Sequence, residues 1–240
     1  MGQFAWLGIV RHGQSVGNIA AAQAERAGAE VIDLADRDAD VPLSPTGRHQ
    51  AQAVGAFLAK QDRPPELALV SPYLRARQTA ELALADTRIP MVVDERLRDR
   101  ELGVLDLLTN AGVRARFPDE AVRRAHLGKY YYRPPGGENW ADVQLRLRVL
   151  LRELREDHPG GRILLFAHEA TVWLVRALAE ELAEPELMAL TRNEAIANCS
   201  VSSWCGDGVS LSPERFNDVA HLEDHGAPPT EQEEVRAEPA

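Results

Sequence analysis

Lysine is nearly missing from this 240-residue chain: Lys60 and Lys129 are the only two, and the rest of the positive charge is arginine. An anion clamp built here would therefore use planar guanidinium forks and not ammonium points. Cysteine is equally scarce. Cys199 and Cys205 form no Cys-x-x-Cys pair and are too few for a disulfide framework, which points to a reduced, cytoplasmic setting. No apolar run is long enough to span a bilayer. The opening MGQFAWLGIVRHG lacks a basic region followed by a long apolar stretch, so it does not read as a signal peptide. Gly2 is followed at the sixth position by Trp6, where a myristoylation signal carries Ser or Thr. Basic charge is also in deficit. A net charge of -10 and a pI near 5.2 make nucleic acid and anionic membranes unexpected partners.

What is present suits one core: 45% of residues are hydrophobic, at a mean hydropathy of -0.30. Short apolar runs at 5–10 (AWLGIV), 67–70 (LALV), 91–93 (MVV), 163–166 (ILLF) and 199–204 (CSVSSW) read as strands. Between them lie helical patterns at 19–30, after Ser44-Pro45-Thr46-Gly47, at 74–85, at 141–156 and at 171–183. The clearest is 141–156, where Val143, Leu147, Leu150, Leu151 and Leu154 form one stripe. The acidic stretch 33–42 (DLADRDADVP) reads as a loop. This alternation predicts an α/β fold: a three-layer sandwich whose mostly parallel central sheet is flanked by helices. A single domain over 1–222 is expected, with 104–140 as a helical lid insertion and 223–240 as a disordered acidic tail.

Three motifs occupy one structural position, between a strand end and a helix start. They are Arg11-His12-Gly13, Ser71-Pro72-Tyr73-Leu74-Arg75 and Ala167-His168. Parallel sheets bind ligands beyond the carboxyl ends of their strands. If these strands are neighbours, Arg11, His12, Arg75 and His168 converge with helix N-termini on one crevice suited to a doubly charged oxyanion such as phosphate. Singly, such a histidine is more often a structural hydrogen-bonder, and such an arginine a solvated charge. Three strand-end motifs together are hard to ascribe to packing. Zinc on the two histidines is the competing reading, but it needs a third ligand and is opposed by adjacent guanidiniums. No metal and no cofactor is therefore expected.

The ordered set is specific. Arg11-His12-Gly13-Gln14-Ser15 with Asn18, Leu43-Ser44-Pro45-Thr46-Gly47 with Gln50-Ala51, Ser71-Pro72 with Arg75-Ala76-Arg77-Gln78-Thr79-Ala80, Leu97-Arg98-Asp99 before Leu102-Gly103, Pro135-Gly136-Gly137-Glu138 and Phe166-Ala167-His168 resemble the histidine phosphatase superfamily, the phosphoglycerate mutase-like fold. Asn217-Asp218-Val219-Ala220-His221-Leu222 resembles a late segment of its phosphatases. The resemblance implies His12 as the nucleophile that becomes phosphohistidine, with Arg11, Arg75 and His168 clamping the phosphoryl oxygens. It implies Asn18 and Ser71 at the phosphate pocket, Gln14 near the substrate, and Asp99 where the family usually has a glutamate as acid and base. A neutral imidazole nucleophile avoids the repulsion an anion would meet from a phosphate dianion.

Two residues depart from the family pattern. Asp99 is one methylene short of glutamate, and Glu101, two residues on and on the same face of an extended segment, is the alternative acid. Asp99 is preferred because it stands four residues before Gly103. Glu169 replaces a glycine common in the family. A first-turn acid at a helix start is the plain reading, and a contact for a cationic substrate group is the functional one. Glu138 reads as a loop-to-helix junction or a brace, and Tyr130, Tyr131 and Tyr132 as packing. The expected activity is that of a histidine acid phosphatase, a phosphoglycerate mutase-like hydrolase of small phosphorylated substrates. A mutase and a non-catalytic phosphate-binding protein are the alternatives. The lid sequence of phosphoglycerate mutases is not found, and a homodimer is left open.

Overall fold

The structure, a computed structural model, describes residues 3–231. Six strands form the sheet: β1 (Trp6–Arg11), β2 (Leu67–Val70), β3 (Met91–Val93), β4 (Arg162–Ala167), β5 (Val201–Gly206) and β6 (Leu211–Asp218). Their order is β3-β2-β4-β1-β5-β6. β1 and β4 pair in parallel, as do β2 with β3 and β2 with β4, while β5 runs antiparallel to both β1 and β6. Parallel neighbours need crossovers, and helices supply them. The helices are α1 (Val16–Arg26), α2 (Pro45–Ala59), α3 (Leu74–Leu84), α4 (Asn110–Arg116), α5 (Pro118–Tyr131), α6 (Trp140–Asp157), α7 (Glu169–Ala179), α8 (Glu184–Thr191) and α9 (Ala220–Asp224).

Alternation along the strands makes two cores. Leu7, Ile9, Leu69, Ile163 and Leu165 pack with the apolar residues of α6 and α7. Val10, Ala68, Val70, Leu164 and Phe166 pack with α2 and α3 on the other face. The three-layer, mostly parallel arrangement expected from the sequence is the one found. The stripe of α6 is buried throughout, from Trp140 through Leu154. Each fully buried leucine there contributes about 1.5–3 kcal/mol by leaving water. Asn139 caps α6, its side chain accepting from the Asp142 amide at 2.8 Å.

Residues 104–140 carry two of the helices, α4 and α5. α4 and α5 build a small separate core from Leu105, Val113 and Tyr132, and α5 breaks at Gly128 (φ 74°). Thr109 caps α4 and ties it to the end of α1, its hydroxyl donating to the Ala29 carbonyl at 2.5 Å. Gly103, at φ 55°, lets the chain turn where a Cβ would lie 2.2 Å from the Pro135 carbonyl oxygen. That approach joins the Leu102-Gly103 and Pro135-Gly136-Gly137 motifs.

One expectation needs correction, and two elements go beyond the sequence reading. β6 and α8 were not anticipated. β6 is a polar edge strand that carries Pro213 and pairs irregularly with β5, so it shows neither alternation nor β-propensity. The disordered tail does not begin at 223. α9 runs to Asp224, Ala227 is buried, and Asn198 donates its amide to the Thr230 carbonyl at 2.8 Å. Only the part of that tail past Glu231 lies outside the described residues.

Candidate active site

The parallel register of three strands assembles the site. Arg11, the last residue of β1, stands opposite Ala167, the last of β4, and the His12 amide donates to the Ala167 carbonyl at 2.9 Å. On the other side of β4, Val70 stands opposite Phe166, whose carbonyl accepts the Ser71 amide at 3.0 Å. His12, His168 and Ser71 thus leave the sheet side by side at its carboxyl edge. His168 is the N-cap of α7 and Tyr73 that of α3, and neither helix has a side-chain cap. Their first turns bring positive dipole to the same place.

The two imidazoles lie 5.2 Å apart between ring centroids. Nδ1 of His12 is 2.8 Å from the Gly13 carbonyl oxygen. A carbonyl only accepts, so Nδ1 carries the proton and Nε2 presents a lone pair. Burial, reinforced by Arg75, His168 and Arg11, pushes the His12 pKa well below the ordinary imidazole value. His12 is therefore neutral at neutral pH, as a nucleophile must be.

His168 is neutral as well, its pKa pushed well down by burial and by Arg75, Arg11 and Arg146. Its Nε2 lies 2.7 Å from the Ser71 hydroxyl. Its Nδ1 lies 3.3 Å from Asp99 Oδ2 but makes no hydrogen bond. As a carboxylate Asp99 only accepts, and that form favours the tautomer with the proton on Nδ1. A buried donor left without a hydrogen bond is a place for an oxyanion.

Arg11 and Arg75 are both buried, and both face carboxylates. Arg11 lies 3.6 Å from Glu169 Oε2 and donates to the Ile196 carbonyl. Arg75 donates from Nη1 and Nη2 to the two carboxylate oxygens of Asp38 at 2.9 and 3.1 Å. It also reaches Asp99 Oδ2 at 2.9 Å. Asp38 lies in the stretch read only as an acidic loop, and nothing in that stretch singled it out. Burial pushes its carboxyl up, against the pull of Arg75.

Asp99, not Glu101, stands among these groups. Glu101 is exposed and accepts from the Tyr73 hydroxyl at 2.8 Å. Arg146 locates Asp99 from behind, donating to its carbonyl at 3.1 Å while held by Glu138 at 3.1 Å. Glu138 is thus a brace, and Arg146 a support that the sequence did not suggest. Tyr132 is buried and donates to Glu120 at 2.8 Å, whereas Tyr131 is exposed.

The side-chain oxygens of Gln14 and Asn18 hold structure. Gln14 Oε1 accepts from the Ser44 hydroxyl at 2.8 Å. Asn18 Oδ1 accepts from the Ser15 amide at 2.9 Å in the capping box of α1. The Arg11-His12-Gly13 and Ser44-Pro45-Thr46-Gly47 motifs touch backbone to backbone: a Cβ on Gly47 would lie 2.0 Å from the Gln14 carbonyl oxygen. Thr79 completes the junction. It accepts from the Gly13 amide at 3.0 Å and donates to the Arg75 carbonyl at 2.7 Å. The spacing of four between Arg75 and Thr79 is the signal that could have revealed it. Among the described residues, no three His, Cys, Asp or Glu side chains group as metal ligands, and no helix is long and apolar enough to cross a membrane.

Known proteins resemble this chain in sequence and fold. Residues 7–219 match the histidine phosphatase superfamily (branch 1). A 2,3-bisphosphoglycerate-dependent phosphoglycerate mutase 2 from Gloeobacter violaceus is 33% identical over 183 residues, 74% of this chain and 75% of the relative. A mycobacterial glucosyl-3-phosphoglycerate phosphatase superposes with a TM-score of 0.72 at 27% identity, covering 90% of this chain and 99% of the other. The alpha-ribazole phosphatase of Shigella flexneri, at 20% identity, shares the fold with a TM-score of 0.72 over 89% of this chain and 96% of its own. A neutral strand-end histidine between two buried arginines, on this sheet order and across this span of match, makes the chain a member of the histidine phosphatase superfamily, branch 1.

Proposed function

We propose that the chain is a metal-independent phosphomonoester hydrolase working through a phosphohistidine on His12. The observation that carries this is the His12 Nδ1–H bond to Gly13, which aims an uncharged Nε2 lone pair into a pocket of guanidinium groups. Nε2 attacks phosphorus, and the bond to the ester oxygen breaks. Arg11, Arg75 and the Nδ1–H of His168 stabilise the equatorial oxygens, which is the electrostatic work phosphoryl transfer requires. Asp99 gives its proton to the departing oxygen. As a carboxylate it then takes one from the water that cleaves the P–N bond, returning His12 to its neutral form. Glu169 sets the orientation of Arg11, and Gln14, Asn18 and Ser71 shape the wall of the phosphate pocket.

The substrate is a small phosphorylated molecule, and the 104–140 insertion serves as its lid. The scarce cysteines support a cytoplasmic setting, and the net charge argues against nucleic acid as a partner. The edge strand β3, with Met91, Val92 and Val93 exposed, is a surface for self-pairing in a homodimer. A mutase reading draws on the Gloeobacter relative, and product analysis with phosphoglycerate separates it from hydrolysis.

His12→Ala is expected to abolish phosphate release across a phosphomonoester panel and to leave the far-ultraviolet dichroism unchanged. The wild type should keep full activity in EDTA. Near-normal turnover by His12→Ala, or loss in EDTA reversed by added metal, would refute the mechanism.

A further inference from the structure

Two peptide groups set the direction of the His12 ring. One joins His12 to Gly13. The other joins Gly13 to Gln14, and its carbonyl holds Nδ1 at 2.8 Å. A single chain of side chains fastens both. The His12 carbonyl accepts from Asn198 Nδ2 at 3.0 Å. This fixes the Asn198 amide, whose Oδ1 accepts from the Thr230 hydroxyl at 3.0 Å. The Thr230 oxygen accepts from Gln50 Nε2 at 2.9 Å, and Nε2 also donates to the Pro228 carbonyl at 2.8 Å. Gln50 Oε1 then accepts from the Gln14 amide at 2.9 Å. The donors and acceptors run one way around the ring, and no member can be flipped without setting two acceptors face to face.

The rest of the C-terminal segment grips the same place. Asn217 accepts from the Ala197 amide at 2.8 Å. The Nε2–H of His221 donates to the Cys199 carbonyl at 3.0 Å. Cys199 itself, at φ 55°, donates its amide to the Arg11 carbonyl at 3.0 Å. A non-glycine residue persists in that conformation when its surroundings over-determine it. Glu231 closes the segment in an antiparallel bridge to Ala197.

We infer that Thr230 is a positioning residue for His12: through Asn198 and Gln50, the C-terminal segment fixes the two peptides that hold the nucleophilic ring at its working angle. Thr230 touches none of the groups assigned to the phosphoryl oxygens, so its loss changes the reactivity of bound substrate and not its binding. The inference rests on His12 as the nucleophile.

The test compares Thr230→Val, which keeps the shape and removes the hydroxyl, with Thr230→Ser, which keeps the hydroxyl. For Thr230→Val, kcat is expected to fall about fivefold with KM within about twofold, the size of one lost hydrogen bond expressed at the transition state. Thr230→Ser should restore kcat. 15N-histidine NMR of the full chain supplies a readout independent of turnover. The wild type should show His12 as the pure Nδ1–H tautomer, and Thr230→Val should shift or broaden its ring signals. An unchanged His12 spectrum in Thr230→Val overturns the inference, and so does a loss of kcat that Thr230→Ser fails to restore. If no phosphomonoester is turned over, the hydrolase reading fails and the NMR comparison alone decides the positioning role.

Discussion

At the residue scale, the choice of acid turns on one methylene. Asp99 compensates for its short side chain by standing at the site itself, 2.9 Å from Arg75 and 3.3 Å from His168. Glu101 has the longer side chain but spends it on Tyr73. Asp99→Asn is therefore expected to lower kcat by about 10²- to 10⁴-fold, the usual contribution of a general acid. The deficit should be largest on alkyl phosphates and smallest on p-nitrophenyl phosphate, whose leaving group needs no proton. Glu101→Gln should change kcat little. A profile in which only Glu101→Gln is inactive reverses the assignment. The position of Asp99 was readable because its distance from Gly103 is a matter of backbone spacing. Asp38, Asn198 and Thr230 were not readable, because each acts through one side-chain contact across a long stretch of chain and belongs to no periodic pattern.

At the element scale, the 33–42 loop matters most. A 3-10 turn at Asp38–Asp40 sets Asp38 on the two Nη groups of Arg75, in the bidentate geometry a phosphate would use. Carboxylate and phosphate dianion compete for one guanidinium face, and only molecules with Asp38 withdrawn are competent. Apparent affinity falls by that competent fraction. Asp38→Asn should thus lower KM and the inhibition constant for inorganic phosphate by about three- to tenfold, with little change in kcat. Steady-state kinetics with added phosphate measure both, and an unchanged inhibition constant would exclude the competition. Elements legible in the sequence were those with strong periodicity: β2 and β3 fall where expected, and α6 within a residue at each end. β6 escaped because an exposed edge strand needs no apolar face. α8 escaped because its single buried residue, Leu187, makes no stripe.

At the scale of the whole molecule, buried neutral histidines make stability depend on pH. The His12 pKa is pushed down in the fold, so below about 6.5 the unfolded chain binds a proton that the native one refuses. Stability is complete above that pH and declines as pH falls toward the native pKa, by up to about 1.4 kcal/mol per pH unit for each such group. His168 behaves alike. Urea unfolding of the wild type and His12→Gln between pH 7.5 and 5 (on the order of one unit either side of 6.5) should give a shallower slope for the variant. Equal slopes would show that His12 stays protonatable in the fold. The sheet order has one more consequence, for how the chain is made. β1 emerges first from the ribosome, yet its neighbours β4 and β5 begin at Arg162 and Val201. The Arg11 and His12 contacts to Ile196 and Asn198 span 185 and 186 residues. Through most of its synthesis the nascent protein carries an unpaired apolar strand on both edges, a state open to aggregation. The contacts that hold the His12 ring are complete only once synthesis has passed Thr230.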